Sequence, residues 1–142
     1  MNVVPFKAEH LLALQLQQGQ AHAQPFITED YAHMLEGEYA FTALADGVPI
    51  AVGGVTKLWD ERGLAWTFVS RNAGAHFVEL HKAVKAMLDI VPYRRVEADT
   101  PCDFEQGHRW LRMLGFTLEA ERMRAFRVDG GDSALYARVR NG

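Results

Sequence analysis

The spacing of hydrophobic and polar positions changes several times along this chain, and each change marks an element. Asn2 to Phe6 reads as a short strand closed by Pro5, and Ala8 to Gln18 carries Leu11, Leu12, Leu14 and Leu16 in a helix-compatible pattern ended by Gly19. After Pro25, Thr28 is suited to cap a second helix, with Glu29 and Asp30 in its first turn and its stop near Gly37. From Tyr39 the period becomes two. Tyr39–Ala45 and Pro49–Val55 flank Asp46-Gly47, a pair that favours a tight hairpin turn.

A polar turn at Asp60-Glu61-Arg62-Gly63 leads into a strand from Leu64 to Ser70. Phe77, Leu80, Val84, Met87 and Leu88 then mark one face of a helix that runs to Asp89 and stops at Val91-Pro92. Arg95 to Asp99 forms another short strand. Pro101 introduces a helix from Asp103 to Leu114, where Phe104, Gly107 or His108, Leu111 and Leu114 share a face and Gly115 supplies the stop. Two last strands, Phe116 to Val128 and Ser133 to Val139, meet through Asp129-Gly130-Gly131-Asp132. The predicted order is β-α-α-β-β-β-α-β-α-β-β, an α/β (α+β) chain.

Composition adds limits. With 142 residues, 49% of them hydrophobic, the chain can bury a core as a single domain over 1–142 without disulfides or a structural metal. No repeat, low-complexity stretch or linker suggests a boundary. The 15 basic and 18 acidic residues, net charge −3, give no reason to expect capture of nucleic acid or an anionic membrane. Late arginines (Arg109, Arg112, Arg122, Arg124, Arg127, Arg138 and Arg140) read as a solvated or carboxylate-paired surface, with a local anion patch as the alternative. The single cysteine, Cys102, fits a reducing compartment. No apolar run nears the roughly 20 residues of a membrane span, and the first residues lack a signal peptide's pattern, so a soluble, cytoplasmic protein is expected.

The candidate chemistry centres on Arg71-Asn72-Ala73-Gly74-Ala75-His76, between the Leu64–Ser70 strand and the helix that follows. A strand ending in a Gly-containing loop that feeds a helix leaves the helix's first N–H groups ready for an anion, as in phosphate sites. Other clusters are weaker. No two of His10, His22, His33, His76, His81 and His108 have the three- or four-residue spacing of a helical metal site; His76 and His81 lie about 140° apart around a helix. Cys102 could pair with His108 as a nucleophile, but a lone cysteine is more often a small buried residue. Glu97 and Asp99 read as sheet carboxylates before they read as a base acting through water, and the tryptophans and phenylalanines as packing before a platform for bases.

In this order the elements resemble the GNAT superfamily of N-acetyltransferases over nearly the whole chain. Ile50-Ala51-Val52-Gly53-Gly54 looks like the family's third strand. Arg71-x-x-Gly74-x-His76 is similar to its pyrophosphate loop Q/R-x-x-G-x-G/A, and Arg109-Trp110-Leu111-Arg112-Met113-Leu114-Gly115-Phe116 to its R-F-Y-E-K-L-G-F segment. The resemblance implies a mixed, mostly antiparallel central sheet flanked by helices, and acetyl-CoA as cosubstrate. Its pantetheine arm would lie along the strand end at Phe68 and Val69, and its pyrophosphate on Arg71, Asn72, Ala73, Gly74, Ala75 and His76, chiefly on N–H groups between Ala73 and Phe77. The reaction implied is transfer of the acetyl group to a small-molecule or protein amine. The two early helices and the late hairpin, with Gln15, Gln18, Tyr31 and Tyr136, would form the acceptor side.

Three residues depart from that pattern. His76 stands where a second Gly or Ala is usual and crowds a close backbone approach, and Phe104 replaces an asparagine that often contacts the cofactor. Leu111 stands where many members have the tyrosine that protonates the thiolate, so no catalytic residue is assigned, although Tyr31, Tyr93 or Tyr136 could replace it if the fold allowed. The chain also resembles the GNAT-like small internal virion protein of short-tailed phages, through Gly47-Val48-Pro49-Ile50-Ala51-Val52-Gly53-Gly54, Trp66-Thr67-Phe68-Val69-Ser70 and Arg109-Trp110-Leu111, where Leu111 agrees. That resemblance implies a catalytically inactive phage or prophage component with virion proteins as partners. It places the protein in the host cytoplasm or the virion, and a homo-oligomer is compatible with either reading.

Overall fold

The computed structural model describes residues 1–141. Seven strands form one sheet: β1 (Asn2–Pro5), β2 (Ala40–Ala45), β3 (Val48–Trp59), β4 (Arg62–Val69), β5 (Arg95–Pro101), β6 (Thr117–Met123) and β7 (Ser133–Val139). Their spatial order is β1-β2-β3-β4-β5-β7-β6. Pairing is antiparallel for β1 with β2, β2 with β3, β5 with β7 and β6 with β7, while β4 and β5 run parallel. The helices are α1 (Ala8–Leu12), α2 (Glu29–Met34), α3 (Phe77–Ile90) and α4 (Glu105–Met113).

The chain divides into two compact units, Met1–Thr56 with Trp66–Val91, and Lys57–Ala65 with the chain from Pro92 on. In the first, Phe6, Ala8, Leu11, Leu14, Leu16, Ala32, Leu35 and Val52 form a buried cluster, and Tyr31, Trp66 and Phe68 pack against it. Leu80, Val84 and Leu88 are the buried face of α3, as the helical spacing predicts. Asp46 (φ 51°) and Gly47 (φ 77°) both adopt the left-handed backbone of the predicted hairpin turn. Gly54 is required for a different reason: a Cβ there would stand 2.4 Å from the Tyr39 carbonyl oxygen, so β2 and β3 approach too closely for any side chain.

In the second unit a row of charges crosses the strands. Glu97 of β5 is 7% exposed and takes Arg62 Nη2 at 2.8 Å and Arg95 Nε at 2.7 Å, while Arg95 also pairs with Glu119 of β6. The Arg62 guanidinium lies 4.6 Å from the centre of the Trp59 ring. The arginines hold the Glu97 carboxyl below its usual range, Arg62 through its hydrogen bonds first, against the opposing effect of burial. A carboxylate saturated in this way is a structural group and not a free base.

Two segments depart from the sequence-based expectation. The helix predicted over Ala8–Gln18 ends at Leu12; residues 14–16 are extended, and a 3-10 segment follows at Gln18–Phe26, with Pro25 inside it. Leu14 and Leu16 lie two apart and are both buried, a spacing that an extended chain points to one side and a helix does not. Gln24 holds that conformation, its Oε1 accepting the Leu16 N–H at 2.9 Å and its Nε2 donating to the Leu14 carbonyl at 3.2 Å. The strand predicted to reach Val128 stops at Met123. Beyond it Ala125 turns to φ 51°, and Asp132 accepts both the Ala125 N–H at 2.9 Å and Arg122 Nη1 at 2.6 Å.

Candidate functional site

Strand alternation decides which backbone groups of β4 are on offer. The Ser70 N–H donates to the Ile50 carbonyl of β3 at 2.8 Å, so the polar groups of Val69 and Arg71, and by the same period Thr67, face the opposite edge. Pairing with β5 uses only Arg62, Gly63 and Leu64 of β4. Beyond those residues the outer edge of β4 is the one on which the GNAT resemblance would lay a pantetheine arm.

That edge is filled by the chain itself. Leu16 forms an antiparallel bridge with Ser70: the Gln17 N–H donates to the Val69 carbonyl at 2.9 Å and the Arg71 N–H to the Gln15 carbonyl at 3.1 Å. One turn further on, the Gln20 carboxamide does the work of another strand. Its Oε1 accepts the Val69 N–H at 2.9 Å and its Nε2 donates to the Thr67 carbonyl at 2.7 Å. Gln17 Nε2 donates to the same Gln20 Oε1 at 3.2 Å.

The loop itself is partly self-satisfied. Ser70 accepts two N–H groups, Asn72 through its Oγ at 3.2 Å and Ala73 through its carbonyl at 3.1 Å. The His76 N–H donates to the Ala73 carbonyl, and that of Phe77 to the Gly74 carbonyl. Of the amides from Ala73 to Phe77, those of Gly74 and Ala75 open the 3-10 turn at Gly74–His76 and precede its first hydrogen bond. Gly74 is exposed, and a Cβ added there would meet nothing within 4 Å. His76 is half-buried, and its Nδ1 is buried without a hydrogen-bond partner, 3.7 Å from Glu79 Oε1. Phe68 points into packing, edge-on to Tyr31 at 6.4 Å and tilted to Trp66 at 6.3 Å.

In the second unit, Leu111 is half-buried on α4 and carries no exchangeable proton. Phe104 is the residue preceding α4. Tyr136 is fully buried. Its hydroxyl lies 2.6 Å from His108 Nδ1, and His108 Nε2 lies 2.9 Å from the Cys102 carbonyl oxygen. A carbonyl can only accept, so Nε2 carries the proton and Nδ1 accepts from Tyr136. The Cys102 thiol instead donates to the Glu121 carbonyl at 3.3 Å, so sulfur and imidazole do not form a nucleophilic pair. Among the late arginines, Arg122 pairs with Asp132 and Arg127 with Asp129, the carboxylate-paired reading. Among the described residues, no three His, Cys, Asp or Glu side chains come together as a metal site, and no helix is long and apolar enough to cross a membrane.

A chain with the strand order β1-β2-β3-β4-β5-β7-β6 and a parallel β4–β5 pair superposes on solved acetyltransferase structures. This is the GNAT fold. Ard1 from Thermoplasma volcanium superposes with a TM-score of 0.77 at 14% identity, covering 99% of this chain and 98% of that one. The ribosomal-protein-S18-alanine N-acetyltransferase from Escherichia coli gives 0.70 at 16% identity, covering 99% and 96%. A GNAT-family acetyltransferase from Streptococcus pneumoniae gives 0.66 at 11% identity, covering 98% and 99%. No family model matches the sequence, and no curated protein does.

The GNAT fold implies acetyl-CoA, and the residues present do not fit it as arranged. The strand edge that would hold an extended arm is saturated by Gln15, Gln17 and Gln20. Those glutamines are what sequence reasoning missed. The one signal for them was the Leu14-x-Leu16 spacing, which marks an extended segment.

Proposed function

We propose that this GNAT-fold protein is catalytically inactive toward acetyl-CoA and works through protein contacts, as the phage virion resemblance suggests. Its setting would then be a phage or prophage particle or the host cytoplasm, with virion proteins as partners. The observation that carries this reading is the closure of the outer β4 edge by residues 15–20. Backbone groups already paired in the protein give a ligand nothing to gain by pairing with them. Leu111 supports the same reading from the chemical side. The test is thioester turnover with a panel of small amines and N-terminal peptides. No thiol release above the uncatalysed rate is expected; turnover that falls when Gly74 is replaced by Phe would overturn the reading.

A second reading is an N-acetyltransferase that uses acetyl-CoA as cosubstrate for a small-molecule or protein amine. The open space above Gly74, together with the Gly74 and Ala75 amides at the head of the α3 turn, favours it. Genome neighbourhood separates the two: head or tail genes beside this one support the first, metabolic genes the second.

A further inference from the structure

α1 begins without a cap of its own. Its N-cap residue is Lys7, whose side chain can only donate, so the amides of the first turn find their acceptors elsewhere. The Ala8 N–H finds one 28 residues away, where Glu36 Oε2 accepts it at 3.0 Å. The Lys7 N–H donates to His10 Nδ1 at 3.2 Å, and that nitrogen also lies 2.7 Å from the hydroxyl of the buried Thr42. Glu36 stands just past the end of α2, and its other oxygen, Oε1, is 3.0 Å from His33 Nδ1. A carboxylate can only accept, so Nδ1 carries a proton, while Nε2 lies 3.9 Å from Glu29 Oε1. We propose that Glu36 is a latch between α2 and the start of α1, tightened when His33 takes up its second proton, so that the hold on α1 follows pH.

The surroundings of His33 favour that proton. On its own helix the imidazole is flanked by Glu29 and Glu36, with Asp30 adding charge, and it stands in the last turn of α2, where a cation is favoured. α1, the element packed against α2, brings Lys7, Glu9 and His10, and among the described residues none of the three forms an ion pair or hydrogen bond with His33. The hydrogen bond to Glu36, and then the charges of Glu36, Glu29 and Asp30, raise the His33 pKa against the opposing effect of burial. His33 first, and then the Ala8 amide, lower that of Glu36. The His33 contribution is therefore fully present below its ordinary value of 6.5 and is lost as pH rises through the raised value. The Glu36 contribution is fully present above 4.5 and is lost as pH falls through the lowered value, so both hold between those two limits. Neutral His33 still donates through Nδ1, so losing the second proton loosens the latch without breaking it. Ala8, Leu11, Ala32 and Leu35 stay packed in either state, which confines the change to the first turn of α1.

The test uses the full chain with His33→Gln and Glu36→Gln, both at exposed positions where the fold does not depend on the side chain. Residue-resolved amide exchange is followed across the histidine titration and corrected for the intrinsic dependence of exchange on pH. In wild type the protection of the Ala8 amide should fall roughly two- to threefold as pH rises through that titration, the scale of an exposed ion pair. In His33→Gln the corrected protection should not change. The Lys7 amide reports on His10 separately and serves as the internal control. The midpoint of the His33 ring resonances should move down toward the ordinary histidine value in Glu36→Gln. An Ala8 protection that follows the same pH course in wild type and His33→Gln, or a His33 midpoint unchanged by Glu36→Gln, would overturn the latch.

Discussion

Gln20 and Val69, 49 residues apart in sequence, meet through a 2.9 Å hydrogen bond in which a side-chain carboxamide takes the place of a strand. With the second bond from Gln20 to the Thr67 carbonyl, it converts an open sheet edge into a closed one. Gln20→Ala removes both bonds and leaves β4's backbone groups half-covered. The expected cost is about 1–2 kcal/mol, from two partly buried bonds. Hydrogen exchange at the Val69 amide should accelerate by about tenfold, following that loss of protection. Unchanged exchange at Val69 would mean that Gln20 does not hold the edge in solution.

Leu16 and Leu12 separate the extended reading of this segment from the helical one. Leu16 is 6% exposed and Leu12 is 46% exposed. Leu16→Ala should cost about 3 kcal/mol, the scale of a leucine deleted from a packed core, and Leu12→Ala well under about 1 kcal/mol. Chemical denaturation of both variants checks the contrast, and equal losses would contradict it.

Much of the fold was legible because its signals are local. The Asp46-Gly47 turn, the Thr28 cap, whose Oγ1 accepts the Tyr31 N–H at 3.2 Å, and the buried Leu80, Val84 and Leu88 stripe each depend on residues a few positions apart. The closure of β4 has no local signal. Gln20 looks like any polar residue after a helix until Thr67 and Val69 are brought beside it. The four leucines from Leu11 to Leu16 read as one helix because a run of leucines carries two periods at once, and only the burial of both Leu14 and Leu16 selects the extended one. Likewise the Arg71–His76 loop was visible as a strand–Gly–helix junction; that Ser70 accepts the amides of Asn72 and Ala73, which leaves those of Gly74 and Ala75 at the head of the turn, was not.

Replacing Leu111 with tyrosine restores the hydroxyl that the GNAT-like segment lacks. If the closed edge is sufficient to prevent catalysis, Leu111→Tyr alone gives no thioester turnover. Measurable amine-dependent release of thiol by that single variant would show that the missing proton donor, and not the edge, is the barrier.

Glu97 predicts a pH dependence. Its folded-state pKa lies below that of the unfolded chain, so its contribution is fully present above the ordinary glutamate value of about 4.3 and is lost as pH falls through the lower folded value. Glu97→Gln leaves Arg62 without its carboxylate partner and Arg95 with Glu119 alone. Its Tm should fall by roughly 5 °C at pH 7, the scale of a loss of 1–2 kcal/mol in a domain of this size. The gap from wild type should hold constant from about pH 8 to 6 and narrow below about pH 4, where the wild-type carboxylate protonates. A gap independent of pH would count against the ion-pair account.

The most direct measurement is the melting temperature of the wild-type protein with and without acetyl-CoA at millimolar concentration. A ligand present at 100 times its Kd adds about 2.7 kcal/mol to stability, a shift that could not be missed. The closed β4 edge predicts no change in Tm. A rise of several degrees, accompanied by loss of the Gln20 contact at Val69, would contradict it.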